Sequence, residues 1–202
     1  CVTNLSYYVA GERAGESLFD AMGDVCDTLL AALLHENREA VSEAARAFGN
    51  LSRDADARDL MREKGATEAL VLLLAHSHRD VAFAAAGALV NVAADPGAKR
   101  VLWRDDLRAH EELAALVRRA GLQDLGLAAV ACKALHNLLL DAPVGASAEL
   151  LGEAVHARLA DTLAELTDAA ADLGDLAGAA EFLAAARALF AILEEQPPAG
   201  GS

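Results

Sequence analysis

The sequence predicts an all-α fold, a solenoid of about four stacked three-helix repeats with part of another repeat at the N-terminal end. A short phrase returns along the chain, and the distances between its copies are roughly 46, 41, 46 and 54 residues. Helical repeats of this length stack into solenoids, because one repeat alone cannot bury its apolar side. Hydrophobic residues make up 54% of the chain and there are only four prolines, so the composition suits a packed helical core.

The repeated phrase is the strongest signal in the chain. It reads AARAFGNL at 44–51, AAGALVNV at 85–92, ACKALHNL at 131–138 and AARALFAI at 185–192. The copies align without a gap on one anchor position, which is occupied by Asn50, Asn91, Asn137 and Ala191. Alanines six and three residues before the anchor, a large residue two before it and an aliphatic residue after it form one side of a helix. The fourth copy thus predicts a buried stripe of Ala185, Ala188, Leu189 and Ile192.

The repeats follow one another with the same internal order. Residues 1–8 fit the end of a truncated repeat with Asn4 at its anchor, so we expect the natural protein to continue N-terminally. The first complete repeat, 9–56, predicts a helix from about 18 to 35 and, after the turn HENRE, a helix over 39–52. Its first helix has an apolar stripe of Leu18, Met22, Val25, Leu29 and Leu33.

The second and third repeats are the most regular. In the repeat 57–97, a short helix ends at Gly65, a second covers 66–76, and a third covers 80–94 before the stop Asp95-Pro96-Gly97. The repeat 98–143 again has three parts, in AKRVLWRDD, LRAHEELAALVRRAGL and DLGLAAVACKALHNLLLD. These parts predict a short first helix, a longer second helix and a third helix that carries the phrase.

The fourth repeat, 144–196, is looser. Its helices are predicted from about 153 to 168 and from about 178 to 195, and an Ala/Asp/Gly stretch at 169–178 accounts for the longer interval. Residues 197–202, PPAGGS, are predicted to be a flexible tail.

A short helix followed by two longer ones resembles the armadillo repeat rather than the two-helix HEAT repeat. The resemblance implies a right-handed superhelical solenoid, in which the anchor asparagine lines a concave groove and grips an extended peptide backbone. The protein-binding groove would then hold Asn4, Asn50, Asn91 and Asn137, with Arg46, Lys133 and Arg187 four residues before three of the anchors. Two roles stay open for the asparagines, because they could instead cap or bridge adjacent helices.

The residues four positions before the anchors indicate the kind of peptide. Nuclear-import receptors of the armadillo type carry tryptophan there, whereas this chain has Arg46, Gly87, Lys133 and Arg187. The sequence therefore favours an acidic or mixed partner over a basic import signal.

Two longer motifs narrow the resemblance. FGNLS is followed by an acidic, arginine-bearing linker, and the helix D-V-x-F-x-A-x-G-x-L-x-N is followed by D-x-x-x-K-R-x-L. Together with NLSYY at 4–8 they resemble a family of armadillo-repeat proteins of cilia and flagella, over residues 1–141. The resemblance implies a non-enzymatic adaptor in the cytoplasm and the ciliary or flagellar axoneme. Its partners would be radial-spoke or intraflagellar-transport subunits, and its role radial-spoke delivery and axoneme assembly.

Two other functions stay open beside the adaptor. The chain could be a permanent structural component of an axonemal complex, or a generic cytosolic scaffold that binds peptides as catenins and importins do. Nothing in the residues separates the adaptor from the structural component, whereas the absence of tryptophan before the anchors counts against the importin type.

Composition and motifs argue against other functions. The net charge of −14 disfavours nucleic acid and anionic membranes as partners, although residues 44–140 hold thirteen of the 17 lysines and arginines. His76 and His78 stand two residues apart without a third candidate ligand, so no metal site is expected. No phosphate loop or serine nucleophile motif occurs, so neither a cofactor nor an enzyme activity is predicted. Cys1, Cys26 and Cys132 are interpreted as reduced thiols.

Overall fold

The structure is a computed structural model that describes residues 22–143, 145–172 and 178–194. Within these ranges every regular element is helical, which confirms the all-α prediction. Cys1, Asn4, the start of the first predicted helix at residue 18 and the tail 197–202 lie outside the described residues. None of the described helices combines the length and the apolar character needed to cross a bilayer.

The chain divides into two compact units, and the first ends at Arg108. Its described part contains α1 (Met22–Leu33), α2 (Arg38–Leu51), α3 (Ala55–Glu63), α4 (Ala66–Leu73), α5 (Arg79–Val92) and α6 (Pro96–Leu102). These helices match the predicted ones to within a few residues at their ends. α3 and α6 each begin two residues before the predicted repeat starts at 57 and 98.

Pro96 lies at the start of a helix. The sequence suggested only that the preceding helix ends at Asp95-Pro96-Gly97, but Pro96 occupies the first turn of α6. Proline fits this position because the first N–H groups of a helix have no partner within it. Asp95 caps the same helix, with its Oδ1 accepting the N–H of Ala98 at 3.0 Å.

The predicted stripe is the contact between α2 and α5. Ala47, Phe48, Ala88 and Leu89 are all fully buried. A Cβ on Gly49 would lie 3.7 Å from the backbone of Ala88, so small residues allow the two helices to approach closely.

Arg58 on α3 forms hydrogen bonds to the ends of two neighbouring helices in the first unit. Its Nη1 donates to the carbonyl oxygen of Ser52, just past α2, at 2.9 Å. Its Nε donates to Asp95 Oδ2 at 3.2 Å. Burial acts to raise the pKa of Asp95, but the hydrogen bonds from Ala98 and Arg58 outweigh it and hold that pKa below its usual value. The half-buried carboxylate is therefore kept charged at its place between α5 and α6.

The second unit begins at Ala109. It contains α7 (Ala109–Ala120), a 3-10 turn (Gly121–Gln123), α8 (Leu125–Leu139), α9 (Ser147–Leu151), α10 (Glu153–Asp172) and α11 (Ala179–Glu194). α8 packs against α7 and α11, and α10 packs against α11. The starts of α8 and α11 approach closely, since a Cβ on Gly178 would lie 3.3 Å from the nitrogen of Gly126.

One part of the predicted stripe is wrong in the fourth copy. Ala185 and Leu189 are buried as predicted, but Ala188 is exposed and Ile192 is only half-buried. The equivalent Ala47, Ala88 and Ala134 are fully buried. The packing around α11 therefore differs from that around the other three third helices at this position.

Candidate protein-binding surface

The third helix of each repeat carries the residues that were predicted to bind. We call the exposed sides of α2 and α5 the first third-helix surface; it contains Arg46, Asn50, Gly87 and Asn91. The exposed sides of α8 and α11 form the second third-helix surface, with Lys133, Asn137, Arg187 and Ala191. Each surface belongs to one unit and is described separately.

Asn91 joins two successive third helices. Its Nδ2 donates to the carbonyl oxygen of Gly49 at 3.2 Å and to Ser52 Oγ at 3.1 Å. The hydroxyl of Ser52 in turn donates to the same carbonyl at 2.8 Å. This is the bridging role that the sequence left open. Since both amide hydrogens are used, only Oδ1 of the half-buried side chain is left to contact a partner.

The hydrogen bond from Asn91 to Gly49 also shows in which direction α2 and α5 run relative to each other. Asn91 is near the end of α5, and Gly49 is near the end of α2. The starts of both helices meet as well, because Arg38 and Glu39 line the same cleft as His78 and Asp80. The two helices therefore run side by side in the same direction, as successive third helices of a solenoid do.

Asn50 and Asn137 are half-buried, like Asn91. Asn137 Oδ1 lies 3.4 Å from Nδ1 of its neighbour His136. The structure thus places three of the four predicted asparagines on third helices and partly open to solvent. That they grip a peptide stays a prediction.

The basic side chains near the anchors are largely neutralised. Arg46 pairs with Glu43, one turn earlier on α2. Lys133 Nζ lies 2.6 Å from Glu181 Oε1 on α11. Arg187 is exposed and makes no ion pair with any described residue. Of these three side chains, only Arg187 would offer an unpaired charge to an acidic partner, and the preference for such a partner stays a prediction.

Sequence analysis could have found one of these two acidic partners. Glu43 stands three residues before Arg46, a spacing at which helical side chains meet. Glu181 is 48 residues from Lys133, and only the packing of α11 on α8 brings them together. No pattern of neighbouring residues in the sequence predicts that contact.

A cleft of about 330 Å³ lies between α10 and α11 in the second unit. Leu163 and Phe190 give it an apolar floor, and the charged Asp168, Arg187 and Glu194 stand around it. It places Arg187 beside apolar surface rather than in a basic row.

The side chains to consider for metal binding or thiol chemistry are His76, His78, Cys26 and Cys132. No three of their His, Cys, Asp or Glu side chains lie close enough to hold a metal ion. Nδ1 of His76 accepts the N–H of His78 at 2.9 Å, so this pair serves a turn. Burial raises the pKa of Cys132 to about 12, and burial with the charge of Asp27 raises that of Cys26. Neither thiol is available as a thiolate near neutral pH.

Comparison with known families identifies the repeat. The model of the Armadillo/beta-catenin-like repeat family matches residues 54–94. The matched stretch contains α3, α4 and α5, which form one complete three-helix repeat. The chain is also 32% identical over 136 residues to Armadillo repeat-containing protein 2 of Bos taurus, and equally to that of Homo sapiens. The alignment covers 67% of this chain but only 15% of each relative.

Solved structures show the same fold. A structure from work on a phosphorylation switch that controls the interaction between cadherin and beta-catenin superposes with a TM-score of 0.67 at 18% identity, covering 96% of this chain and 34% of that chain. A designed armadillo repeat protein in complex with the peptide (KR)4 gives 0.53 at 20% identity, covering 93% and 91%. At these identities the likeness shows the fold alone, and it confirms the predicted armadillo-type solenoid.

Proposed function

Because this chain belongs to the armadillo-repeat family, we propose that it is a non-enzymatic scaffold that binds a protein partner along its third helices. The observation that carries this proposal is the placement of Asn50 and Asn91 at equivalent positions of two parallel, adjacent helices. Amide groups that repeat along a surface suit an extended peptide, whose own N–H and C=O groups also repeat. A designed armadillo repeat protein of the same fold was solved with a bound peptide, which supports this mode.

Backbone N–H groups of the partner would donate hydrogen bonds to the first third-helix surface. Oδ1 of Asn91 is an acceptor without a hydrogen bond among the described residues, whereas both of its donors are used. Gly87 lies one turn before Asn91 on α5 and leaves open space, since a Cβ there would meet no atom within 4 Å. A peptide can therefore pass over α5 without meeting a side chain at this position.

We further propose that the scaffold is an adaptor in the cytoplasm and in cilia or flagella, for radial-spoke delivery and axoneme assembly. Radial-spoke or intraflagellar-transport subunits would be its partners. The proposal is supported by the 32% identity to Armadillo repeat-containing protein 2 over 136 residues and by the motifs that resemble ciliary armadillo proteins.

The test compares a blocking substitution with a matched control. Gly87→Arg puts a long side chain over α5, where its Cβ meets nothing, and Gly23→Arg does the same on α1. Tagged full-length protein with each change is purified from the soluble ciliary fraction, and the bound proteins are identified. We expect spoke or transport subunits with the unchanged protein and with Gly23→Arg, and at least a tenfold loss with Gly87→Arg. Equal recovery with both variants would contradict binding at the first third-helix surface.

The same experiment separates an adaptor from a permanent component. An adaptor is recovered mainly from the soluble fraction and leaves the mature axoneme. Recovery only from the detergent-insoluble axoneme would instead identify a built-in structural part.

A further inference from the structure

We propose that the cleft between the starts of α2 and α5 is a pocket for a neutral side-chain carboxamide, supplied by a glutamine or asparagine of the bound partner. The proposal rests on the proposed function, because it names a side chain that a partner lying on the first third-helix surface would present. The cleft has a volume of about 380 Å³. Its lining residues are Arg38, Glu39, Ser42, Glu43, Arg46, His78 and Asp80.

Two polar atoms beside this cleft are buried without a partner. Ser42 is only 7% exposed, and its Oγ makes no hydrogen bond. Nδ1 of His78 is likewise buried and unbonded. Buried polar atoms in proteins are nearly always hydrogen-bonded, because leaving one unpaired costs about 1–3 kcal/mol. Both residues line this one cleft, which points to a ligand there that can bond to both atoms.

The turns that precede α2 and α5 have the same hydrogen bond, but a different residue occupies the N-cap position of each helix. Nδ1 of His35 accepts the N–H of Asn37 at 2.9 Å, and Nδ1 of His76 accepts the N–H of His78 at the same distance. Asn37 and His78 then occupy the same cap position, each followed by an arginine and an acidic residue. The sequences HENRE and HSHRD show this correspondence.

Only the first of these helices is capped by a side chain. The carboxamide oxygen of Asn37 accepts the N–H of Glu39 at 2.8 Å and that of Ala40 at 3.3 Å. The side chain of His78 makes no such bond, and the N–H of Asp80 has no acceptor among the described residues. α5 therefore lacks the carboxamide that α2 carries in its own sequence. A partner's carboxamide oxygen would accept from Asp80, and its NH₂ group would donate to His78 Nδ1 and Ser42 Oγ.

The charges around the cleft favour a neutral group over an ion. Two guanidinium groups and three carboxylates line it, and Arg46 already pairs with Glu43. The carboxylate of Glu39 opposes an anionic ligand, that of Asp80 already pairs with Arg79, and Arg38 opposes a cation. A carboxamide carries a donor and an acceptor without the cost of burying a charge. A side chain reaches the buried atoms more readily than a peptide main chain lying across the rim.

The probe is glutamine blocked as N-acetyl-glutamine methylamide, titrated into the isotope-labelled protein while backbone amide NMR signals are followed. Blocked glutamate tests the anion, and blocked alanine shows what the main-chain amides alone do. We expect saturable shifts at Ser42, His78 and Asp80 with blocked glutamine, with a Kd on the order of millimolar. The other two probes should shift these signals at least fivefold less. Equal shifts with blocked alanine, or larger ones with blocked glutamate, would overturn the proposal.

Two variants test the mechanism. His78→Asn supplies the missing carboxamide from the chain itself, so it should raise Tm and abolish the response to blocked glutamine. Ser42→Ala should weaken the response without lowering Tm. Thr67→Val is the matched control, because Thr67 Oγ1 is another buried, unbonded hydroxyl oxygen that does not line the cleft.

An unchanged response in His78→Asn would overturn the proposal even if blocked glutamine binds. The probe needs no protein partner, so a negative result leaves the test of partner binding with Gly87→Arg standing by itself.

Discussion

At the scale of single residues, Asn91 shows how one side chain serves both the fold and a surface. Its donors bind the end of the preceding third helix, and its acceptor is left for a partner. A pattern of recurring asparagines cannot distinguish these roles, because both need an amide at the same place on the helix. The hydrogen bonds to Gly49 and Ser52 decide that Asn91 has the structural role.

Asn91→Ala should therefore destabilise the protein. The carbonyl oxygen of Gly49 and the hydroxyl of Ser52 would each lose a donor, and we expect a loss of about 1–2 kcal/mol in the free energy of unfolding. Urea unfolding followed by circular dichroism measures it. Arg187→Ala is the control, since Arg187 is exposed and should change stability by less than about 0.5 kcal/mol. Equal stabilities of Asn91→Ala and the unchanged protein would contradict the bridging role.

The thiol of Cys132 makes stability depend on pH in the alkaline range. Burial raises its pKa to about 12 in the folded protein, whereas the unfolded thiol titrates near its ordinary value of 9.0. Between these values the unfolded state holds fewer protons, so stability falls as pH rises, by up to about 1.4 kcal/mol per pH unit. Below pH 9 the contribution is fully present.

Cys132→Ala isolates this effect, because Ala45 and Ala86 occupy the equivalent positions of two other repeats. Unfolding free energies of both proteins are compared from pH 7 to pH 10.5. We expect the curve of the variant to be flatter above pH 9. Parallel curves would mean that the thiol ionises equally in both states.

At the scale of elements, the helix end at Gly65 was predicted from its capping residue. Gly65 was predicted to end a helix, and its φ of +79° lies in the left-handed region that glycine prefers. Pro96 was misjudged because the sequence does not show whether a proline follows one helix or opens the next. Here Asp95 caps α6, so the end of α5 is followed almost at once by the start of α6.

Replacing two different glycines by alanine should change the stability of the protein in opposite directions. Gly65→Ala forces a Cβ into the left-handed region and should cost about 1–2 kcal/mol. Gly87 lies within α5 with no atom near its Cβ position, so Gly87→Ala should stabilise by about 0.5–1 kcal/mol. Thermal unfolding of the two variants gives the comparison. A fall in Tm with Gly87→Ala would reveal a steric contact that the open space above α5 does not predict.

At the scale of the whole molecule, the repeat pattern predicted the all-α fold and the residues that fill its core. It succeeded because the buried alanines and the large residue beside them recur at fixed places, as in Ala88 and Leu89. It failed at Ala188, which is exposed, since burial depends on how the whole helix packs and not on the phrase alone. The pairing of Lys133 with Glu181 was invisible for the same reason, because distant packing creates it.

The predicted site was less accessible to sequence analysis than the fold. The anchors Asn50, Asn91 and Asn137 follow from the pattern, but the cleft beside Ser42 and His78 does not. It depends on two unbonded buried atoms and on a missing cap, and these become visible only in three dimensions.

The net charge of −14 should make the whole molecule sensitive to salt. An excess of carboxylates repels itself in the compact state, and salt screens that repulsion. Exposed ion pairs, such as Lys64 with Asp27 and Arg104 with Glu68, contribute little each. We expect the urea midpoint to rise when NaCl is increased from about 10 mM to about 150 mM, where the Debye length is near 8 Å. A lower midpoint would show that the surface ion pairs outweigh the repulsion.

The bond from Asn91 to the carbonyl oxygen of Gly49 has a consequence for how such a chain can evolve. Its acceptor is a main-chain atom, which every amino acid provides. A repeat that carries the asparagine can therefore be duplicated or moved behind a different third helix and still find this acceptor, as long as a small residue there lets the helices approach. Linkage through the backbone makes the repeats interchangeable building blocks, while the residues that meet a partner remain free to diverge.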